Sequence, residues 1–152
     1  MGTVYSVQKT KWDQDTPTTR IKPNEFKGRI RVAYGEYVAA AEQSDIHMFN
    51  LPNGARILTM EVAHAALGSS TTLSVGHAAY TDSAGDAVTL DVDEYKAAAA
   101  STAIAVTGAA LTEALGRYSV VDADETGIPI TVSLASANGT GTIKLMCEWV
   151  LD

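Results

Sequence analysis

The sequence predicts an all-β protein: an antiparallel β-sandwich, by preference a jelly roll, with one short helix and an extended N-terminal arm. Three observations predict it. Apolar residues recur with period two through most of the chain, in about eight short runs punctuated by Gly, Asn and Asp. Those runs do not alternate with helical segments, which argues against a parallel, doubly wound sheet. Only 19% of the residues are charged, and the rest are rich in Ala, Thr, Ser, Val and Gly, small or β-branched residues that suit a pleated surface. The length of 152 residues fits one domain. It divides into an arm, residues 1–28, and a sandwich body, residues 29–152.

The arm is polar, with Pro17 and Pro23, and its apolar content is too sparse for a core of its own. It is also basic. Residues 1–31 carry seven Lys or Arg against three acids, a net +4, whereas residues 32–152 carry four against fifteen, a net −11. A basic arm on an acidic body fits a segment that folds back on that body, or one that reaches a neighbouring molecule. Nucleic acid is the weaker reading, because the acidic body repels a duplex and the arm has few aromatics to stack on bases. Trp12 is read as an anchor, since an indole is costly to expose and is enriched at interface hot spots. The candidate partner-binding residues are therefore Lys9, Lys11, Trp12, Arg20 and Lys22.

The body begins with residues 29–34, in which Ile30, Val32 and Tyr34 share one face and Arg29, Arg31 and Ala33 the other. In residues 45–52, Ile46 and Met48 oppose His47, Phe49 and Leu51, as in a strand covered on both sides. Asn53-Gly54 follows, the most specific turn signal in the chain. It predicts a two-residue hairpin with both residues at positive φ, pairing residues 46–51 with residues 56–67. Leu58, Met60 and Val62 then face away from Thr59 and Glu61. Further strands place Leu73 and Val75 inward, then Val88, Leu90 and Val92 inward with Thr89 and Asp91 in water. Residues 91–102, with an acidic start and an Ala run, read as the helix. Residues 110–116 read as one more helical turn ended by Gly116, and residues 104–106 as a short strand between the two. Ile128, Ile130, Val132 and Leu134 line one face of a strand that Pro129 marks as an edge. The last run places Ile143, Leu145, Cys147, Trp149 and Leu151 on one face.

Chemistry is sparse. The single cysteine, Cys147, excludes an intrachain disulfide and reads as a small buried hydrophobe. His47, His64 and His77 lack the spacing of a zinc site, although His47 and His64 would face each other across the expected hairpin. Asp122, Asp124, Thr126 and Gly127 begin like a calcium loop, but Ser133 stands where a bidentate Glu is needed, so the segment reads as a polar loop. No phosphate-binding, dinucleotide-binding or nucleophile-elbow motif occurs. The expectation is a protein with no catalytic residues, no cofactor and no metal. No apolar run is long enough for a membrane helix, and the first 20 residues lack the apolar core of a secretory signal.

The stretch NEFKGRIRVAYGEYVAAAEQSDIHMFNLPNGARIL, followed by TTLSVGHAAY and the terminal GTIKLMCEWVLD, resembles small virion proteins of tailed bacteriophages. What the resemblance implies is a capsid decoration, or cement, protein. Such a protein would bind the major capsid protein on the outside of the head, as a homo-oligomer with a trimer favoured, in a virion assembled in the host cytoplasm. It transfers no site residues. Two other roles stay open. One is a receptor- or glycan-binding module displayed on the virion, with Tyr80, Tyr95 and Tyr118 as candidate aromatics. The other is a head–tail or tail structural component.

Overall fold

The computed structural model describes residues 29–40, 43–108, 120–136 and 139–151. The arm, with Lys9, Lys11, Trp12, Arg20 and Lys22, and the expected helical turn at residues 110–116 lie outside the described residues.

Among the described residues, ten strands follow in chain order: β1 (Arg31–Ala39), β2 (Gln43–Leu51), β3 (Ala55–His64), β4 (Thr72–His77), β5 (Tyr80–Thr81), β6 (Ala87–Val88), β7 (Asp91–Ala100), β8 (Ala105–Gly108), β9 (Ile128–Ala135) and β10 (Gly141–Leu151). They form two antiparallel four-stranded sheets, ordered β1-β10-β3-β8 and β2-β9-β4-β7, and a small β5-β6 hairpin. With that hairpin set aside, the pairing is nested: β1 with β10, β2 with β9, β3 with β8 and β4 with β7. Two further pairings complete the sheets, β10 with β3 and β9 with β4.

The core is one apolar cluster drawn from both sheets. Met60, Val62, Ile143, Leu145 and Cys147 come from the first, and Leu73, Val75, Ile128, Ile130, Val132 and Leu134 from the second. The period-two reading placed all of these correctly, because side chains at i and i+2 share a face of a strand. Trp149 is buried as expected. Leu151 is not; it lies beyond the register shift at Glu148/Trp149 and is exposed at the chain end.

The Asn53-Gly54 turn forms, but it does not make a hairpin. Ala55 N–H donates to Pro52 O at 3.1 Å, and of the central pair only Gly54 has positive φ, at 77°. That is the type II pattern, not the doubly positive turn whose twist matches a two-stranded ladder. Two bonds then tie the turn to a distant segment: Gly54 N–H to Val121 O, and Val121 N–H to Ala55 O. The chain therefore crosses from one sheet to the other, and β2 and β3 are not neighbours. His47 and His64 consequently lie in different sheets.

The expected helix at residues 91–102 is instead strand β7, and no helix occurs among the described residues. Ala favours a helix locally, but a segment this short is marginal as an isolated helix. Pairing with β4 and insertion of Tyr95 into the core prevail. Leu90 and Val92 are exposed, against expectation; Leu90 lies just before the strand, and Val92 lies in the stretch of β7 between the pairs His77↔Asp91 and Val75↔Lys96.

Pro129 does not mark an edge, since β9 lies between β2 and β4. Its carbonyl accepts the Ala78 N–H at 3.0 Å. In a strand a residue's N and O point to the same flank, so the missing N–H faces the end of β4. It falls one residue past the last β4–β9 pair, His77↔Ile130, and the ladder loses no bond there.

Candidate functional site

His64 and His77 are buried, and each donates Nδ1–H to the carbonyl of the next residue, Ala65 at 2.8 Å and Ala78 at 3.0 Å. A carbonyl oxygen can only accept, so Nδ1 of each ring carries a proton. His77 packs edge-on against Tyr80 and Tyr95, with ring centroids 5.2 and 6.4 Å away. Burial raises the pKa of both tyrosines above the ordinary value, followed by nearby carboxylates for Tyr80 and by Tyr80 and then Glu94 for Tyr95, whose shift is the larger. Both rings line a cavity of about 60 Å³ with Ile57, Val120, Val121, Asp122 and Ile128. Ligand pockets run to about 300 Å³ and above, so this space is too small for a sugar ring. Tyr95, expected as an exposed glycan-stacking ring, is only 3% exposed; Tyr118 lies outside the described residues.

The acidic loops are occupied by their own backbone. Asp124 Oδ1 accepts from Thr126 N–H at 2.8 Å and Thr126 Oγ1 at 2.6 Å. Asp122 Oδ1 accepts from Ser83 N–H, and Asp82 Oδ1 accepts from the N–H groups of Ala84 and Asp86. The hydrogen bonds to Thr126 and Ser83 lower the pKa of Asp124 and Asp122 respectively. The Asp82 and Asp124 bonds are Asx-type turns that shape their loops, whereas the Asp122 bond ties its segment to the β5–β6 turn. Among the described residues no group of three or more His, Cys, Asp or Glu is placed to hold a metal ion.

Cys147 is fully buried on β10, and its thiol is pushed up to about 12, first by burial and then by Glu148. Thiolates, not thiols, react. The folded protein is therefore expected to give no reaction with a chromogenic disulfide reagent at pH 8, and one equivalent once unfolded in urea. Rapid labelling of the native chain would contradict this burial.

What the surface does offer is apolar. On β1, Val32, Tyr34 and Val38 are 60%, 56% and 65% exposed, and Ile30 just before the strand is 57% exposed. Alternation had grouped Ile30, Val32 and Tyr34 on one face, and the fold turns that face to solvent. The opposite face meets the body: Arg31 lies over the Trp149 ring, 5.3 Å from its centroid, and Ala33 and Tyr37 pack on the core. Register carries the outward row across the sheet, setting Val32 beside Glu148, Tyr34 beside Met146 and Glu36 beside Lys144. Tyr34 OH donates to Glu36 at 2.7 Å, and Lys144 pairs with Glu36 at 3.7 Å. At the far edge of the same sheet Val106 is exposed, with Ile104 just before β8.

Single exposed apolar side chains are ordinary; a row of them on one edge strand marks a contact surface. β1 is also an edge strand, so one flank of its backbone has no ladder partner among the described residues. Sequence reasoning found the row but not its orientation. The available signal was that Arg29 and Arg31 occupy the other face, and it was ambiguous, since a long Arg can cover an aromatic ring.

Comparison with known proteins bears on the fold. No protein-family model matches the sequence, and no curated protein matches it. Solved structures do. A chain from the capsid of Ralstonia phage GP4 aligns with a TM-score of 0.60 and 18% identity, over 82% of this chain and 86% of that one. A chain from the Cyanophage Pam1 capsid asymmetric unit aligns with a TM-score of 0.54 and 18% identity, over the same shares. At that identity the likeness is one of fold.

Proposed function

We propose that this chain is a structural protein of a tailed-phage virion that binds the outer surface of the capsid and stabilises it, as a cement or decoration protein. The observation that carries the reading is the fold shared with chains of two phage capsids. The surface agrees with it, since the body presents an exposed apolar row on its edge strand β1. The nested strand pairing supports a jelly-roll description of the body: a long antiparallel hairpin rolled over so that successive strands fall in opposite sheets.

In this reading the partner is the major capsid protein, and the chain acts as a homo-oligomer, a trimer by preference. Residues 29–152 are the body. Residues 1–28 are an arm whose Lys9, Lys11, Trp12, Arg20 and Lys22 reach a neighbouring molecule. The mechanism is mechanical. A protein that binds the expanded shell and not its dissociated subunits shifts the equilibrium toward the shell by mass action. Multivalent attachment multiplies the effect without new chemistry.

An electron-microscopy map of intact particles is expected to place the body on the outer face of the head. Density confined to the tail, or no density for this chain, would refute the proposal. Removing residues 1–22 is expected to lower both occupancy on heads and their resistance to heating. Unchanged occupancy and heat resistance would remove the arm from the mechanism and leave the body's role standing.

A further inference from the structure

We propose that residues 3–12 of a neighbouring copy add a strand to the free edge of β1. The inference rests on the reading above that the arm reaches another molecule, and it names the surface that receives it.

β1 pairs with β10 over nine residues, Arg31 to Ala39, and no strand lies on its other flank among the described residues. Natural edge strands are blunted by charge, proline or a bulge. β1 contains no proline, its ladder with β10 runs without a register shift, and its outward row has one charge, Glu36. The surface continuing from that row is net acidic: Glu36, Glu61 and Glu148 stand against Lys144 and Arg56 across β1, β10 and β3. An occupant must therefore offer free backbone groups, apolar side chains at alternate positions, and positive charge.

Residues 3–12, TVYSVQKTKW, offer all three. The segment has no Gly or Pro and is mostly β-branched, aromatic or long-chain polar, a composition suited to strand formation. In an extended conformation Tyr5, Val7, Lys9 and Lys11 share a face. That face puts two apolar groups and two cations against a row of Val32, Tyr34, Glu36 and Val38. Main-chain bonds along an edge supply affinity, and the alternating side chains supply register.

Chain length favours exchange between copies. The arm joins the body at Arg29, two residues before β1 begins. Residues 13–28 span up to about 50 Å when extended, enough to leave one body and reach the next. Return to the same β1 would require that whole linker to act as an unstructured reversing loop, and loops longer than about 12–15 residues are uncommon in compact domains. Exchange needs no reversal, and repeated around a symmetry axis it closes a ring of copies.

The test uses the full-length chain with the photoreactive analogue benzoylphenylalanine in place of Tyr5. It is mixed with isotope-labelled unsubstituted chain, irradiated, and mapped by peptide mass spectrometry. The expected product joins residue 5 to a labelled peptide containing β1. Adding Val32→Lys and Tyr34→Lys to the labelled chain, both at exposed positions, is expected to lower that yield about tenfold with an unchanged melting curve. Cross-links confined to the parent chain, cross-links to other strands, or no cross-link at all would each overturn the inference. Repeating the irradiation on assembled particles separates the two proposals. Attachment of residue 5 to the major capsid protein would refute this pairing and leave capsid binding intact. A β1 cross-link in chain that never occupies heads would do the reverse.

Discussion

Gly76→Ala is expected to destabilise the protein by about 3 kcal/mol, seen as a lower urea midpoint, because it inserts a methyl where another backbone already lies. Between the pairs Val75↔Lys96 and His77↔Asp91, a step of two residues on β4 is matched by a step of five on β7. The extra length of β7 bulges over Gly76. A Cβ there would stand 2.0 Å from Asp91 O and 2.5 Å from the Val92 carbonyl carbon. Neither contact is the end of a flexible side chain, so the variant must move β7 off β4. Glycine inside a strand commonly marks such a close backbone approach. Amide exchange should therefore quicken along β7 first, while the β2–β9 ladder keeps its protection. An unchanged midpoint would mean that β7 does not lie over Gly76.

The second large effect is expected for Ile130→Ala, about 4 kcal/mol, from lost burial plus the cavity left behind. Ile130 is fully buried on β9, opposite Phe49 on one side and His77 on the other. The informative control is Val38→Thr. Val38 is equally apolar and strand-borne but 65% exposed, so the isolated chain should change by no more than about 0.5 kcal/mol. A large loss at both sites would show that β1 is covered in the free protein. A loss at Ile130 alone leaves the β1 row as surface that stability does not require.

Much of the fold was legible from residue order. The alternation in residues 128–134 and 143–149 named the central core side chains, including Cys147 and Trp149, because burial on one face of a strand forces a period of two. The errors share a cause. Asn53-Gly54 was read as a hairpin because that dipeptide favours one locally, yet Val121, a distant residue, fixes the turn and sends the chain to the other sheet. Residues 91–100 carry helical propensity, but β4 supplies a ladder and the core a place for Tyr95. Pro129 looks like an edge until the flank its nitrogen faces is known. At the candidate site, the row Ile30, Val32 and Tyr34 was visible as a row. Its exposure depends on Arg31 and Trp149 meeting on the opposite face, and those residues come from the two ends of the body.

The sequence by itself determined that the chain is built of strands, which side chains could fill a core, and that a basic leader precedes an acidic body. These are local or additive properties, readable from spacing and composition. Only the tertiary structure decided which strands are neighbours and which apolar faces stay wet. Backbone hydrogen bonds look alike on every strand, so pairing is chosen collectively by long-range closure and by the packing of two sheets around one core.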